Sequence, residues 1–365
     1  MLPISSKIVL PGGAGLVGQN LAVRLKEKGY KNLIVLDKHR ENIEIMKRLH
    51  PDIRIEFADL AGEGDWSKHF EGASCCVMLQ AQIGAKEADP FVRNNLFSTK
   101  NVLNALKKYN VPFTVHISSS VVESVADDDY TRTKKEQEKM VFESGITCIV
   151  LRPTLMFGWF DRKHLGWLSR FMKQVPVFPI PGNGKYRRQP LYVGDFCRII
   201  ISCIEQGGPT GIYNISGFEK IDYIDIIRRI RSTIKSKTMI VKIPVNFFSF
   251  LLRIWSLFDS DPPFTAAQLK ALVAKDEFEI IDWETIFGVK STPFSAAIEE
   301  TFNSRSRKIK GSGHSPDNAV CFVNCDAIPF FQKFVGQRKP HGTGSNDGNI
   351  LIHFSPNQNL RVTLL

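Results

Sequence analysis

The chain has 365 residues, 43% hydrophobic and 23% charged, with 26 Gly and 19 Pro, a composition that excludes collagen-like, coiled-coil and wholly disordered proteins. No run of about 18 apolar residues is present, which argues against a spanning helix, and the N-terminus lacks the features of a secretory signal, so a cytoplasmic protein is expected. Of the formal charge of +11, residues 304–365 carry +5 (eight Lys or Arg against three Asp); the rest of the chain mixes both signs, and no nucleic-acid partner is expected.

In chain order, apolar runs at 7–11, 32–36, 53–58, 75–79, 113–118 and 147–152 alternate with helix-like segments at 17–28, 40–49, 91–109 and 130–144. The helical segments end at Gly29, just before Pro51 and Pro112, and at Gly145, as helix stops should. This alternation predicts βαβ units and an α/β fold: a Rossmann-like, doubly wound parallel sheet over 1–152. From 153 to 303 the pattern loosens into a smaller α/β substrate lobe, with strand-like 211–216 and 239–243 flanking a helix that carries Ile224, Ile227 and Ile230. Residues 304–365 read as a basic, Gly/Ser/Asn-rich, poorly ordered tail containing one apolar patch at 319–334. Seven cysteines, an odd number, suggest reduced thiols instead of a disulfide framework.

The first chemical signal is Gly12-Gly13-Ala14-Gly15-Leu16-Val17-Gly18, between the first strand and the first helix. Glycines there allow a tight turn, close approach of backbone N–H groups to a pyrophosphate, and close helix packing. Asp37 ends the second strand, where a carboxylate accepts the adenosine ribose hydroxyls and repels a 2′-phosphate. NAD is therefore favoured over NADP, although Lys38, His39 and Arg40 follow directly. Asp59 and Leu60, past the third strand, are placed to meet the adenine, an aspartate in a turn being an equally common use of that position.

The second signal is Tyr130 and Lys134, four residues apart on one helical face, downstream of Ser118-Ser119-Ser120. A phenol has an unperturbed pKa of about 10 and becomes a base near neutrality only beside a fixed positive charge, which Lys134 would provide. In this order GGAGLVG, Asp37, Asp59-Leu60, NNLFSTKNVL, SSS, YTRTK, LRP and YVGD resemble the extended short-chain dehydrogenase/reductases of the NAD-dependent nucleotide-sugar epimerase and dehydratase type, over roughly residues 5–300. The resemblance implies that Ser120 bonds the reacting hydroxyl, Tyr130 takes its proton, Lys134 holds Tyr130 and the nicotinamide ribose, and Asn95 lies where cofactor or substrate is touched. It also implies that Arg188, five residues before Val193, clasps the diphosphate of a nucleotide sugar, a task suited to a planar guanidinium.

Three departures bear on the substrate. Only ten residues separate Ser120 from Tyr130, Glu123-Ser124 replaces Tyr-Gly, and the usual alanine pair reads Leu79-Gln80-Ala81-Gln82. Val121-Val122 stand where a dehydratase carries an Asp-Glu pair, which disfavours elimination. Two rivals use the same fold: a dehydrogenase of a sterol- or lipid-like alcohol, and an assembly subunit that binds a dinucleotide without turnover. The loop Trp159 to His164 is either a ligand contact or a surface loop, and Asp195 reads as a helix cap. No metal is predicted, since Cys321, Cys325 and His314 lack a four-ligand pattern. Residues 245–258 form a greasy helix with a polar stripe at Asn246, Ser249, Arg253 and Ser256, too short to span a bilayer. It is either buried in the lobe or rests on a membrane or partner surface, giving a peripheral membrane contact. By the resemblance, 91–109 and 130–144 would pair two copies into a homodimer.

Overall fold

The computed structural model describes residues 2–85, 87–124, 127–207, 210–258, 269, 273 and 279–303, with the side chains of 255–258 set aside. The predicted tail, its apolar patch, His314, Cys321 and Cys325 lie outside the described residues.

The first part of the chain alternates as its sequence predicts: β1 (Ile8–Pro11), α1 (Leu16–Glu27), β2 (Leu33–Asp37), α2 (Arg40–Leu49), β3 (Arg54–Phe57), a 3₁₀ turn (Asp65–Phe70) and β4 (Cys75–Met78). A long helical passage follows as α3 (Asp89–Phe91), a π-helical segment (Val92–Phe97) and α4 (Ser98–Lys108). Then come β5 (Thr114–Ile117), a 3₁₀ turn (Ser120–Glu123), α5 (Asp129–Glu143) and β6 (Cys148–Pro153). The remainder holds β7 (Met156–Phe157), α6 (Leu165–Gln174), β8 (Val177–Pro181), β9 (Arg187–Arg188), β10 (Leu191–Tyr192), α7 (Val193–Gln206), β11 (Gly211–Ile215), β12 (Ile221–Asp222), α8 (Tyr223–Thr233), β13 (Met239–Ile243), α9 (Val245–Phe258), α10 (Trp283–Phe287) and α11 (Phe294–Phe302).

Seven strands form one sheet in the order β11-β6-β5-β4-β1-β2-β3, and every pairing in it is parallel. A parallel sheet is covered on both faces, so its strands are continuous apolar runs. Alternate residues serve the two layers: Ile8, Leu10, Cys75 and Val77 pack with α1, α2 and α7, whereas Val9, Cys76 and Met78 pack with α4, α5 and Phe70. The first layer continues without a break into Phe178, Ile180, Ile224, Ile227, Ile230 and Trp283, so the smaller lobe shares a core with the sheet. Strands 211–215 and 239–243, which read alike in the sequence, part company: the first closes the edge of the main sheet beside β6, the second pairs with β8 in a separate ladder. The thiols of Cys75, Cys76, Cys148, Cys197 and Cys203 are free, and burial pushes that of Cys197 up to about 12.

Candidate active site

The chain leaves β1 and its neighbour β4 toward opposite faces of the sheet, which opens a crevice at their carboxyl ends. The glycine loop lines it. Gly12 holds φ +73, and a Cβ there would lie 2.5 Å from the Gln80 backbone. At Gly18 a Cβ would lie 2.0 Å from the Gly13 carbonyl oxygen, so α1 starts against the turn with no room for a side chain. Gly15 precedes α1 in an extended conformation, with no side-chain cap and no acid in the first turn. The donors of Leu16 and Val17 thus begin an uncapped helix, a natural seat for a pyrophosphate.

Asp37 faces this loop, accepting from the N–H of Ala14 and of His39 at 2.9 Å each. The three basic residues after it are otherwise engaged. Lys38 donates to Asn94 at 2.6 Å and lies 3.8 Å from Asp59; His39 caps α2 by accepting from Asn42; Arg40 stacks 4.2 Å over Phe57. Asp59 is bound by Arg93 at 2.6 Å; although burial opposes it, this bond helps hold the carboxyl below its usual range. Leu60 packs in the core, and its carbonyl accepts from Asn101. Residues fitted to a dinucleotide are therefore present: a cradle that a Cβ at Gly12 or Gly18 would fill, an uncapped helix start and a carboxylate at the end of β2 facing the loop.

At the next crossover, β5 delivers the serine run and α5 delivers Tyr130 and Lys134, with Asp128 capping the helix by accepting from Thr131 at 2.8 Å. Tyr130 packs on Phe91, ring centroids 6.5 Å apart. Burial raises the phenol pKa, the nearby Ser119 side chain opposes that rise, and Asp128 adds to it. The serine side chain that acts on the phenol is thus Ser119, one residue before the expected Ser120, which begins the 3₁₀ turn.

Lys134 also departs from expectation. Its Nζ donates to the Ile117 carbonyl at 3.1 Å and to Gln137 Oε1. Burial brings the Lys134 pKa down to about 7, with Glu138 opposing. Inside a site this dry the ammonium takes the two acceptors nearest to it, a strand carbonyl and a carboxamide. Asn95 is fully buried and its amide is used up within the protein: Oδ1 accepts from Gln82 N at 2.7 Å, and Nδ2 donates to Thr133 and to the Gln82 carbonyl. It pins the loop after β4 to α5 from a fully buried position.

Two groups escaped the sequence reading. Gln80 is buried beneath Gly12 with neither end of its carboxamide partnered; its replacement of an alanine was the available signal. Glu138, one turn beyond Lys134, accepts from Ser118 at 2.5 Å and from Arg152 Nε at 3.0 Å, and it pairs with Arg152 Nη2. Arg152 also meets Glu123 at 2.9 Å, and Glu123 accepts from Asn214 of β11 at 2.9 Å. This network braces both ends of the serine turn.

On the lobe side, Arg188 is buried against Tyr186, its guanidinium 5.5 Å from the ring, and Tyr186 stacks on Tyr223 at 5.2 Å. Asp195 accepts from Thr292 N and Oγ1, tying α7 to the segment before α11 instead of capping its own helix. In the 159–164 loop, Asn20 donates to the Trp159 carbonyl, Asp161 accepts from three backbone N–H groups, and Arg162 grips Glu41 and Asn42. That loop serves as a brace over α2. Among the described residues no group of His, Cys, Asp and Glu could hold a metal ion.

Residues 8–216 match the model of the NAD dependent epimerase/dehydratase family. A dTDP-D-glucose 4,6-dehydratase of Dictyostelium discoideum is 21% identical over 266 residues, 61% of this chain and 61% of that protein. A decarboxylating sterol-4-alpha-carboxylate 3-dehydrogenase of Schizosaccharomyces pombe is 26% identical over 204 residues, 50% of this chain and 59% of that protein. The chain thus spans about three fifths of the length of either relative. Among solved structures, UDP-glucuronic acid 4-epimerase from Bacillus cereus in complex with NAD superposes with a TM-score of 0.65 at 20% identity, covering 81% of this chain and 95% of that one.

Proposed function

The chain belongs to the NAD dependent epimerase/dehydratase family, and from that premise we propose that it is an NAD-dependent oxidoreductase or epimerase acting on a hydroxyl of a nucleotide-activated sugar. The observation that supports this reading is the placement of Tyr130 on α5, packed on Phe91 and beside the serine run that follows β5, at the carboxyl end of the sheet that also carries the glycine crossover. Bound NAD supplies the hydride acceptor. The backbones of Gly12, Gly15, Leu16, Val17 and Gly18 hold its pyrophosphate, Asp37 its adenosine ribose, and Asp59 with Leu60 its adenine side. NAD is preferred to NADP because Asp37 faces the loop while Lys38, His39 and Arg40 already have protein partners.

Ser119 orients the sugar hydroxyl, and Tyr130 receives its proton as a phenolate that the positive charge of a bound nicotinamide would favour against the burial that raises its pKa. Ser120 shapes the turn beside them, Lys134 fixes the floor of the site through Ile117, and Asn95 acts at a distance through Gln82 and Thr133. Arg188 receives the diphosphate, its guanidinium oriented by Tyr186.

Incubation with NAD and a panel of UDP- and dTDP-sugars, with chromatographic product analysis, tests the reading. Turnover is expected with at least one sugar, and Tyr130→Phe should lower kcat about 10²–10⁴-fold with NADH binding retained. Arg188→Ala should raise KM. NADH binding without turnover of any nucleotide sugar overturns the reading in favour of an assembly subunit. Turnover of an uncharged sterol-like alcohol, indifferent to Arg188→Ala, overturns it in favour of a lipid dehydrogenase.

A further inference from the structure

Helix α9 turns its apolar side outward. Val245, Phe248, Ser249 and Leu252 form the partly covered inner face, and Gly182 leaves room for Val245, since a Cβ there would come within 3.2 Å of that side chain. Opposite them, Phe247, Phe250, Leu251 and Ile254 stand three and four residues apart in one stripe, Phe250 being 56% exposed. The ladder leading into α9 does the same. Met239 and Val241 of β13, with Val177 beside Met239 on β8, are exposed, whereas Phe178 and Ile180 point into the core.

The chain leading into and through this helix is basic, between Asp225, which pairs with Arg228, and Asp259. Residues 226–258 contain seven Lys or Arg (228, 229, 231, 235, 237, 242 and 253) and no Asp or Glu. Arg229, Arg231, Lys235, Lys237 and Lys242 are exposed. Seven of the chain's net eleven positive charges thus fall in 33 residues that also carry its outward apolar helix. Among the described residues no helix is long and apolar enough to cross a membrane. A helix with an exposed apolar face and basic surroundings lies in the headgroup layer, its apolar side among the acyl chains and its cations on anionic lipids.

We propose that α9, with the basic segment preceding it, docks the protein on an anionic lipid surface. A second copy of the chain is the other candidate for covering the stripe, but two such surfaces would bring the exposed Arg229, Arg231, Lys235, Lys237 and Lys242 against the same five cations of the other copy.

The test is flotation of the full chain with phosphatidylcholine vesicles, with and without about one third phosphatidylserine. Wild type should float with the anionic vesicles, less so as salt rises, and remain soluble with phosphatidylcholine alone. Phe247→Glu/Phe250→Glu should lower partitioning at least about tenfold with an unchanged unfolding midpoint. Lys235→Glu/Lys237→Glu/Lys242→Glu, which leaves the apolar stripe intact, should lower it comparably at low salt. The 304–365 tail is common to all these proteins, so the differences report on α9 and its flank. Wild type staying soluble with anionic vesicles overturns the proposal, as does equal flotation of wild type and both variants. Dissociation of a wild-type dimer by the Phe variant, without vesicle binding by wild type, assigns the stripe to a contact between copies instead.

Discussion

Replacing Glu138 by Gln removes the charge that Arg152 and Ser118 share. The Glu138 side chain is only 6% exposed and that of Arg152 16%, so the pair is largely desolvated. Breaking a buried ion pair by removing one partner costs about 3–5 kcal/mol. Gln keeps one acceptor for the guanidinium, and Arg152 retains Glu123, itself 47% exposed; these reduce the expected loss to about 2–3 kcal/mol. Arg152→Met leaves the carboxylate buried with Ser118 alone and should cost about 3–4 kcal/mol. The double variant removes both charges and should lose less than the sum of the singles, giving a coupling of at least about 1.5 kcal/mol. Urea unfolding of the four proteins near neutral pH, at constant m, reads this directly. Coupling below about 0.5 kcal/mol would refute the claim that the pair acts as a unit bracing the serine turn.

Lys134 gives a pH signature. Its folded pKa is lowered from 10.5 to about 7, so between those values the unfolded chain binds a proton that the folded protein lacks, and wild-type stability rises with pH through that window. The stability of Lys134→Met relative to wild type should be constant below about pH 7 and then decline by on the order of a few kcal/mol as the pH approaches 10.5; a flat difference in urea unfolding would sink the assignment. Gly18→Ala puts a methyl 2.0 Å from the Gly13 carbonyl oxygen and should cost about 3 kcal/mol or more while weakening NADH binding by fluorescence titration; an unchanged midpoint with unchanged affinity contradicts the packing. Gln80→Leu replaces an unpartnered buried carboxamide by an apolar group of similar size and should stabilise the ligand-free protein by about 1–2 kcal/mol; a marked loss of stability would mean that the amide has a partner.

The sheet was legible in the sequence because its strands are short apolar runs closed by Gly, Pro or a helix start, and the boundaries fall within about two residues of those expected. The glycine crossover and Asp37 were legible for a local reason, since strand, turn and helix adjoin along the chain. The serine partner was not. Three identical residues precede the 3₁₀ turn, and only the backbone decides which hydroxyl meets Tyr130. A spacing of four put Tyr130 and Lys134 on one face without revealing that a β5 carbonyl would claim the ammonium. Asn95 was named by resemblance alone; it sits in the π-helical segment Val92–Phe97, and its bonds to Gln82 and Thr133 depend on contacts distant in sequence. The placement of Gly211–Ile215 at the sheet edge depended on its pairing with β6, which no local pattern encodes.

The position of β11 also bears on how the molecule is made. Residues 8–57 supply three adjacent strands at one side of the sheet, so the dinucleotide crossover can be laid down early in synthesis. The strand opposite Arg152 comes from residues 211–215, and its Asn214 holds Glu123 beside the serine turn. A nascent chain must therefore extend at least sixty residues beyond β6 before the corner that holds Tyr130 and the serine turn has its last support, so that the glycine crossover precedes that corner on the ribosome.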